Sequence, residues 1–381
     1  MSGGRLGCLC GFVSSPGGSP MPLSFLETLD GASHEQIQLI QDPSIGFSAI
    51  LAIHDTRLGP AFGGVRRFPY RNGTEALRDV MRLSQAMTNK CLLTGVQGGG
   101  GKVALIDRPG LDLRLVYRRL GEFIQNLGGR YYSGPDVGTG EEELAAMAET
   151  TEFVTLPGPR GPGDLSAATA RGVLAGIRAV LRFLARKDER YPADPGESSW
   201  EGLRFAVQGF GEVGYKVAQG ILARGGTVVG AEVQRERLEK AIDTLGIDFT
   251  DPGEIFDVPC DVFVPCALGG ILHDLTVERL KCRAVAGSAN NILAGPEHGL
   301  QLAGREILVA PDFVINSGAL ILGANFHLTG NRDQAAAIDK IEERLFRLFE
   351  EAEREGKTPT MFADEAAEAR LHSLPKRVFF P

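Results

Sequence analysis

Arg204-Phe205-Ala206-Val207-Gln208-Gly209-Phe210-Gly211-Glu212-Val213-Gly214 is the stretch on which the reading of the fold turns. The first five residues form a short apolar strand, and the rest is G-x-G-x-x-G opening a helix-like segment through Tyr215 to Ala223. Each glycine has its own task. Gly209 makes the tight turn, Gly211 lets a pyrophosphate reach the backbone, and Gly214 lets helix and strand pack closely. The phosphates then meet a helix N-terminus, where free N–H groups and the macrodipole favour anions. A second strand, Thr227 to Ala231, ends at Glu232, placed to bond the ribose hydroxyls and repel a 2′-phosphate. Arg235 lies close enough to work the other way. Strand, glycine turn, helix and acid-ended strand together define a dinucleotide site, with NAD as the expected cofactor.

Working outward, strands are expected near 204–208, 227–231, 260–264, 283–286 and 306–309, alternating with helices. That alternation predicts an α/β chain with a parallel, doubly wound sheet. Upstream, residues 22 to 155 mix strands and helices. One helix is predicted from Thr74 to about Asn89, with Thr74 as N-cap and Leu77, Val80, Met81, Ser84 and Met87 at helical spacing. Leu156-Pro157-Gly158-Pro159-Arg160-Gly161-Pro162-Gly163 reads as the linker between two domains. A long amphipathic helix carrying Ile338, Ile341, Leu345, Leu348 and Phe349 is expected to return toward the first domain. The division is therefore a disordered extension over 1–21, an α/β domain for substrate and oligomerisation over 22–160, a Rossmann-type domain over 161–335, and returning helices over 336–381.

A second stretch carries chemistry: Lys90-Cys91-Leu92-Leu93-Thr94-Gly95-Val96-Gln97-Gly98-Gly99-Gly100-Gly101-Lys102. Four consecutive glycines lose much backbone freedom on folding, so they mark close approach to the backbone. Lys102 then opens a buried strand-like run, where burial depresses a lysine pKa and makes the amine a usable base.

Composition narrows the class. The chain has 381 residues, 43% hydrophobic and 23% charged, as ordinary globular enzymes do. A net charge of −8 without a long basic run argues against nucleic-acid and acidic-membrane partners. No apolar stretch approaches the ~18–20 residues of a membrane helix. Six scattered cysteines suit a reducing, cytoplasmic setting. Cys8 and Cys10 have no nearby ligand partners, and the six histidines lack ligand spacing, so no metal is expected.

Several blocks resemble one family in order and spacing. They are His54-Asp55-Thr56-Arg57-Leu58-Gly59-Pro60-Ala61-Phe62-Gly63-Gly64, the run from Met87 to Lys102, and Gly134-Pro135-Asp136-Val137-Gly138-Thr139. Val264-Pro265-Cys266-Ala267-Leu268-Gly269, Ala286-Gly287-Ser288-Ala289-Asn290-Asn291 and Ala310-Pro311-Asp312-Phe313-Val314-Ile315-Asn316 continue the match. From about Ser48 to the C-terminus the chain resembles the Glu/Leu/Phe/Val amino-acid dehydrogenases, leucine dehydrogenase most of all. Departures are small: Val103 follows the lysine, and Asp107-Arg108-Pro109 stands where the family has Gly-Asp-Pro.

The resemblance implies reversible, NAD-dependent oxidative deamination of an L-amino acid in a cleft between two domains. It implies Lys90 as the cation for the α-carboxylate, Lys102 as the base that activates water, and Asp136 as the carboxylate that shuttles the amino-group proton. Substrate contacts are implied at Phe62, Gly63, Met87, Gly134, Asn291, Leu320 and Gly323. Cofactor contacts are implied at Thr169, Gly209, Phe210, Gly211, Glu212, Val213, Gly214, Glu232, Ala267 and Asn291. A homo-oligomer, from dimer to octamer, is implied as well.

His54 reads as structural, and Cys266 is given no nucleophilic role. Gly134 leaves no cation for a distal carboxylate, which argues against glutamate. Gly134 with Leu320 resembles phenylalanine dehydrogenases, so a bulky apolar or aromatic side chain is expected. A catalytically silent NAD-binding or sensor protein is the competing reading; it would not need Lys90, Lys102 and Asp136 together.

Overall fold

A computed structural model describes residues 28–30, 32–196 and 199–375. The expected extension over 1–21, with Cys8 and Cys10, lies outside the described residues.

Two sheets organise the chain. The first contains β1 (Gln36–Asp42), β2 (Phe47–Asp55), β3 (Ala61–Phe62), β4 (Val65–Phe68), β5 (Gly99–Ile106) and β6 (Tyr131–Tyr132), in the order β1-β2-β5-β3-β6 with β4 also on β5. It is mixed: β2 runs antiparallel to β1 and β5, while β3 and β4 run parallel to β5. Its helices are α1 (Gly73–Thr94), α2 (Leu113–Asn126) and α3 (Glu141–Met147).

The second sheet contains β7 (Arg204–Gln208), β8 (Thr227–Ala231), β9 (Asp248–Phe249), β10 (Val262–Pro265), β11 (Ala284–Val285) and β12 (Leu308–Val309). All its pairings are parallel. The order β12-β11-β10-β7-β8-β9 is the doubly wound 3-2-1-4-5-6 arrangement, which binds dinucleotides where the order reverses. That crevice lies beyond the ends of β7 and β10. Its helices are α4 (Leu165–Leu184), α5 (Glu212–Leu222), α6 (Arg235–Leu245), α7 (Asp274–Val277), α8 (Pro296–Gly304), α9 (Asp312–Ile315), α10 (Gly318–Thr329), α11 (Ala335–Glu355) and α12 (Pro359–Ser373).

Local differences from the sequence reading have simple causes. Helix α1 starts one residue before Thr74, because Asn72 is its N-cap: the Asn72 side chain accepts from the Glu75 N–H. It ends at Gly95, whose φ of 72° satisfies a left-handed C-cap. The apolar face of α11 lies along α4, with Ile338, Ile341, Leu345, Leu348 and Phe349 buried against the second sheet's core. The return to α1 is made mainly by the next helix, α12. Arg57 donates to the Leu371 and Leu374 carbonyls at the end of α12, and Arg370 of α12 donates to the Leu92 carbonyl. Cations on the last carbonyls of a helix also suit its dipole.

Among the described residues no helix is long and apolar enough to cross a membrane, and no group of three or more His, Cys, Asp or Glu could hold a metal ion.

Candidate active site

A cavity of about 520 Å³ opens between the two sheets. One wall begins with the glycine run. Gly99, Gly100 and Gly101 are buried in β5, and a Cβ on any of them would overlap a neighbour. At Gly100 it would lie 2.2 Å from the Ser84 carbonyl oxygen of α1, and at Gly99 1.5 Å from the Asp55 carbonyl oxygen. The helix therefore seats directly on the strand. Two residues beyond Gly100, on the same face, Lys102 emerges into the cavity. On α1, Leu83, Ala86, Met87 and Lys90 recur at i, i+3, i+4 and i+7 and form the adjoining wall.

Asp136 enters from the loop after β6, in a turn that closes with Thr139 N–H on the Asp136 carbonyl. Gly138 follows at φ 75° with the Arg67 carbonyl oxygen 2.4 Å from any Cβ, so the turn demands glycine. The Asp136 carboxylate meets Lys102 Nζ at 3.1 Å through Oδ2. The same oxygen accepts from Arg66 Nε at 2.9 Å.

The electrostatics follow from burial against these pairs. Burial pulls the buried Lys102 ammonium below its ordinary pKa, and Arg66 adds to that, while Asp136 opposes it. Burial pushes Asp136 upward, but Lys102 and Arg66 outweigh it and hold the carboxyl below its usual value. Lys90, half-buried on the adjoining wall, donates to Asn316 Oδ1 at 2.6 Å. Desolvation lowers its pKa to about 8, with Asp312 opposing and Lys102 adding to the fall.

The opposite wall is largely backbone. Gly209 sits at φ 91° with a would-be Cβ 2.7 Å from that of Ala267, and a Cβ on Gly214 would lie 2.0 Å from the Gly209 carbonyl oxygen. Gly211 caps α5 without any side-chain hydrogen bond, which leaves the first-turn N–H groups facing outward. The Glu232 carboxylate accepts from Phe210 N–H at 2.7 Å and Gln234 N–H at 2.8 Å. It thus rims the turn as a fixed acceptor. Arg235 is exposed and paired with Glu239 at 2.7 Å. This cradle of a tight glycine turn, an uncapped helix start and an acid-ended strand fits NAD.

Of the residues singled out by sequence, Lys102, Asp136, Lys90, Phe62, Gly63, Met87, Gly134, Leu320, Gly323, Thr169, Gly211, Glu212, Val213, Ala267 and Asn291 line this one cavity. Gly209, Gly214 and Glu232 do not line it: the two glycines belong to the adjoining turn, and Glu232, after β8, accepts from the turn's Phe210 N–H. The Phe210 ring is buried against Phe249, ring centres 5.0 Å apart, so only its backbone belongs to the turn. His54 is buried in β2, bonded to Thr88 at 2.9 Å through Nδ1. Burial raises the Cys266 thiol and leaves it inert.

Four groups carry no role in the sequence reading, although Asp312 and Asn316 lie in a matching block. Arg66, Asn316 and Asp312 hold the charged residues just described. The fourth is a polar pair at the Gly134 end of the cavity, where Thr155 stands between Gly134 and Gly323 with its hydroxyl 2.9 Å from His327 Nε2. Burial lowers His327 to about 4, so the ring is neutral near pH 7. That end of the pocket is accordingly not uniformly apolar, as the sequence had suggested.

Comparison with known proteins agrees with this architecture. Residues 34–153 match the family model described as Glu/Leu/Phe/Val dehydrogenase, dimerisation domain, and residues 231–357 match that of Glutamate/Leucine/Phenylalanine/Valine dehydrogenase. The chain is 40% identical over 358 residues to phenylalanine dehydrogenase of Bacillus thermotolerans, covering 92% of this chain and 91% of that protein. It is 38% identical over 358 residues to leucine dehydrogenase of Thermoactinomyces intermedius, covering 93% and 95%. The crystal structure of L-tryptophan dehydrogenase from Nostoc punctiforme superposes with a TM-score of 0.77 at 32% identity, covering 91% of this chain and 98% of that one. The fold and cavity are those of a two-domain α/β oxidoreductase. The chain belongs to the Glu/Leu/Phe/Val dehydrogenase family.

Proposed function

We propose that this protein catalyses the reversible, NAD-dependent oxidative deamination of an apolar L-amino acid to its 2-keto acid and ammonia. The observation that carries this reading is the Lys102–Asp136 pair, 3.1 Å apart, sharing one cavity with Lys90 and with the glycine-rich turn. NAD, when bound, supplies the acceptor for the hydride on the substrate Cα.

The chain's own residues do the rest. Lys90 binds the α-carboxylate, held in place by Asn316. Asp136, kept ionised by Lys102 and Arg66, takes the proton from the substrate ammonium and returns one to the departing ammonia. Lys102, with its pKa drawn down by burial, removes a proton from the water that attacks the imine carbon. Phe62, Met87 and Leu320 cover the reacting centre with apolar surface.

Side-chain preference follows from the far end of the cavity. A Cβ at Gly134 would meet nothing nearer than Thr155 Cβ at 3.8 Å, so glycine there adds open depth. Bulky apolar substrates are favoured, with phenylalanine or tryptophan at least rivalling leucine. Glutamate is disfavoured, because Thr155 and the neutral His327 ring offer its distal carboxylate no cation, and a buried carboxylate without one costs on the order of several kcal/mol. The first domain serves self-association, in keeping with the description of the family model it matches, and light scattering at micromolar concentration should give a homo-oligomer.

Absorbance of reduced nicotinamide with Leu, Val, Ile, Phe, Trp and Glu tests the function directly. Silence across the panel would sink it in favour of a NAD-binding sensor. Turnover led by valine or leucine, with phenylalanine negligible, would overturn only the side-chain preference.

A further inference from the structure

Arg66 has a second partner. While Nε serves Asp136, Nη1 donates to Asp79 Oδ2 at 3.2 Å. Asp79 sits on α1 at i+3 before Arg82 and is itself held by two more donors: Tyr70 Oη on Oδ2 at 2.8 Å, and Arg82 Nη2 on Oδ1 at 2.9 Å. Arg82 also reaches across the cleft to Asn291 Oδ1 at 3.4 Å. A chain of alternating charge therefore runs from the exposed Arg82 through Asp79, Arg66 and Asp136 to the buried Lys102. Asn291, at its other end, is a cavity-lining residue of the second domain with φ 51°.

Two consequences follow from the geometry. Asp136 gives Oδ2 to both cations, so Oδ1 is the oxygen left to exchange a proton with an amino group in the cavity. And the charge that Arg66 presents to Asp136 and Lys102 is divided, because Asp79 takes part of it. The other charged groups of the cavity are Lys90 on α1, Asp312 of α9 beyond it, and Glu212 at the start of α5. Lys90 is on the adjoining wall and Asp312 on the second-domain side, and neither is hydrogen-bonded to Asp79.

We propose that Arg66 is a positioning residue for the reaction and that Asp79, with Tyr70, sets through it the protonation of the Asp136–Lys102 pair. The inference rests on the reading of that pair as the proton-handling groups. Burial depresses Lys102, and among the nearby charges Arg66 deepens the fall while Asp79 opposes it. Removing either therefore acts in a predictable sense, and the two senses are opposite.

The test is the pH dependence of kcat/KM with the best substrate of the panel. Asp79→Asn keeps shape and removes charge; Arg66 then acts undivided, both groups protonate at lower pH, and the acid limb moves down. Arg66→Gln removes the cation; both groups protonate at higher pH, and the limb moves up. Each displacement is about half to one pH unit, a roughly three- to tenfold change at a fixed pH on that limb. Tyr70→Phe, a milder change should Asp79→Asn fold poorly, strengthens the hold of Asp79 on Arg66 and moves the limb slightly up.

Equal losses of kcat with an unmoved pH profile would overturn the proposal and leave these residues a merely structural role. Shifts of the same sign in Asp79→Asn and Arg66→Gln would overturn it too. Acetylation of Lys102 by acetic anhydride, followed by mass spectrometry across pH, reads the same shifts without turnover. A wild-type chain inactive on every amino acid would refute the proposed function, while the acetylation profiles would still decide this inference.

Discussion

The two walls of the cavity are built from opposite materials. The first-domain wall presents side chains whose charges are locked to one another: Lys102, Asp136, Arg66 and Asp79. The second-domain wall is backbone at the cofactor turn, Gly209, Gly211, Gly214 and the start of α5, with Glu232 accepting from the turn and Glu212, Asp312 and Asn316 among its polar side chains. The difference reflects what each must do. A phosphate-bearing cofactor already carries charge, and oriented N–H groups suffice to receive it. Moving protons at a carbon that carries an amine needs groups with displaced pKa values, and only side chains can supply those.

The largest effects should therefore come from the charged wall. Lys102→Ala and Asp136→Ala should each lower kcat by about 10²–10⁴-fold while NAD binding, followed by quenching of protein fluorescence, stays near wild type. A Lys102→Ala enzyme with near-normal kcat would break the comparison outright. Next comes the support beneath that wall. His54 is buried and its pKa is lowered to about 4, first by burial and then by the neighbouring His34 ring. A depressed folded-state pKa means the unfolded chain binds the extra proton first. Stability should be whole above about pH 6.5, fall as pH drops, and level off near the folded value. At about 1.4 kcal/mol per pKa unit the loss is on the order of 3 kcal/mol, and His54→Gln should flatten that part of the Tm-against-pH curve.

Lys90→Ala should chiefly raise the amino-acid KM, by about ten- to a hundredfold, the worth of one charge-assisted hydrogen bond. An equal fall in kcat would instead give Lys90 a part in the chemistry. The smallest effect belongs to the backbone wall. Glu232→Gln should improve NADP relative to NAD by roughly several-fold to tenfold, by removing like-charge repulsion at the 2′ position. If wild type already prefers NADP at equal concentration, the NAD assignment is wrong.

The same contrast explains what could be read from the sequence. The glycine turn and β7 and β8 were legible because their geometry is local: consecutive residues dictate the turn, the helix start and the acid at the strand end. Lys90, Lys102 and Asp136 could be named through family resemblance, because their motifs are contiguous. Their supports were invisible. Arg66 lies 70 residues from Asp136, Asn316 lies 226 from Lys90, and His327 lies 172 from Thr155. No periodicity or spacing links such partners; only the closing of two sheets around a cleft brings them together. The start of α1 failed for a smaller reason: Asn72 and Thr74 are both capable caps, and the choice depends on which side chain reaches the Glu75 N–H.

The glycines around the cavity also divide the molecule by how freely it can change. A methyl at Gly63 would press to 1.8 Å from the Gly101 carbonyl oxygen, and no rotamer of any neighbour can relieve a backbone clash. At Gly134 the same methyl would rest 3.8 Å from Thr155, and at Gly323 it would press only lightly, 3.2 Å from the Thr155 methyl. Single mutational steps are thus open at the Gly134–Gly323 end of the cavity and closed beside Gly101 and Lys102. A lineage built on this scaffold can vary the Gly134–Gly323 end of the cavity without disturbing Lys102 and Asp136.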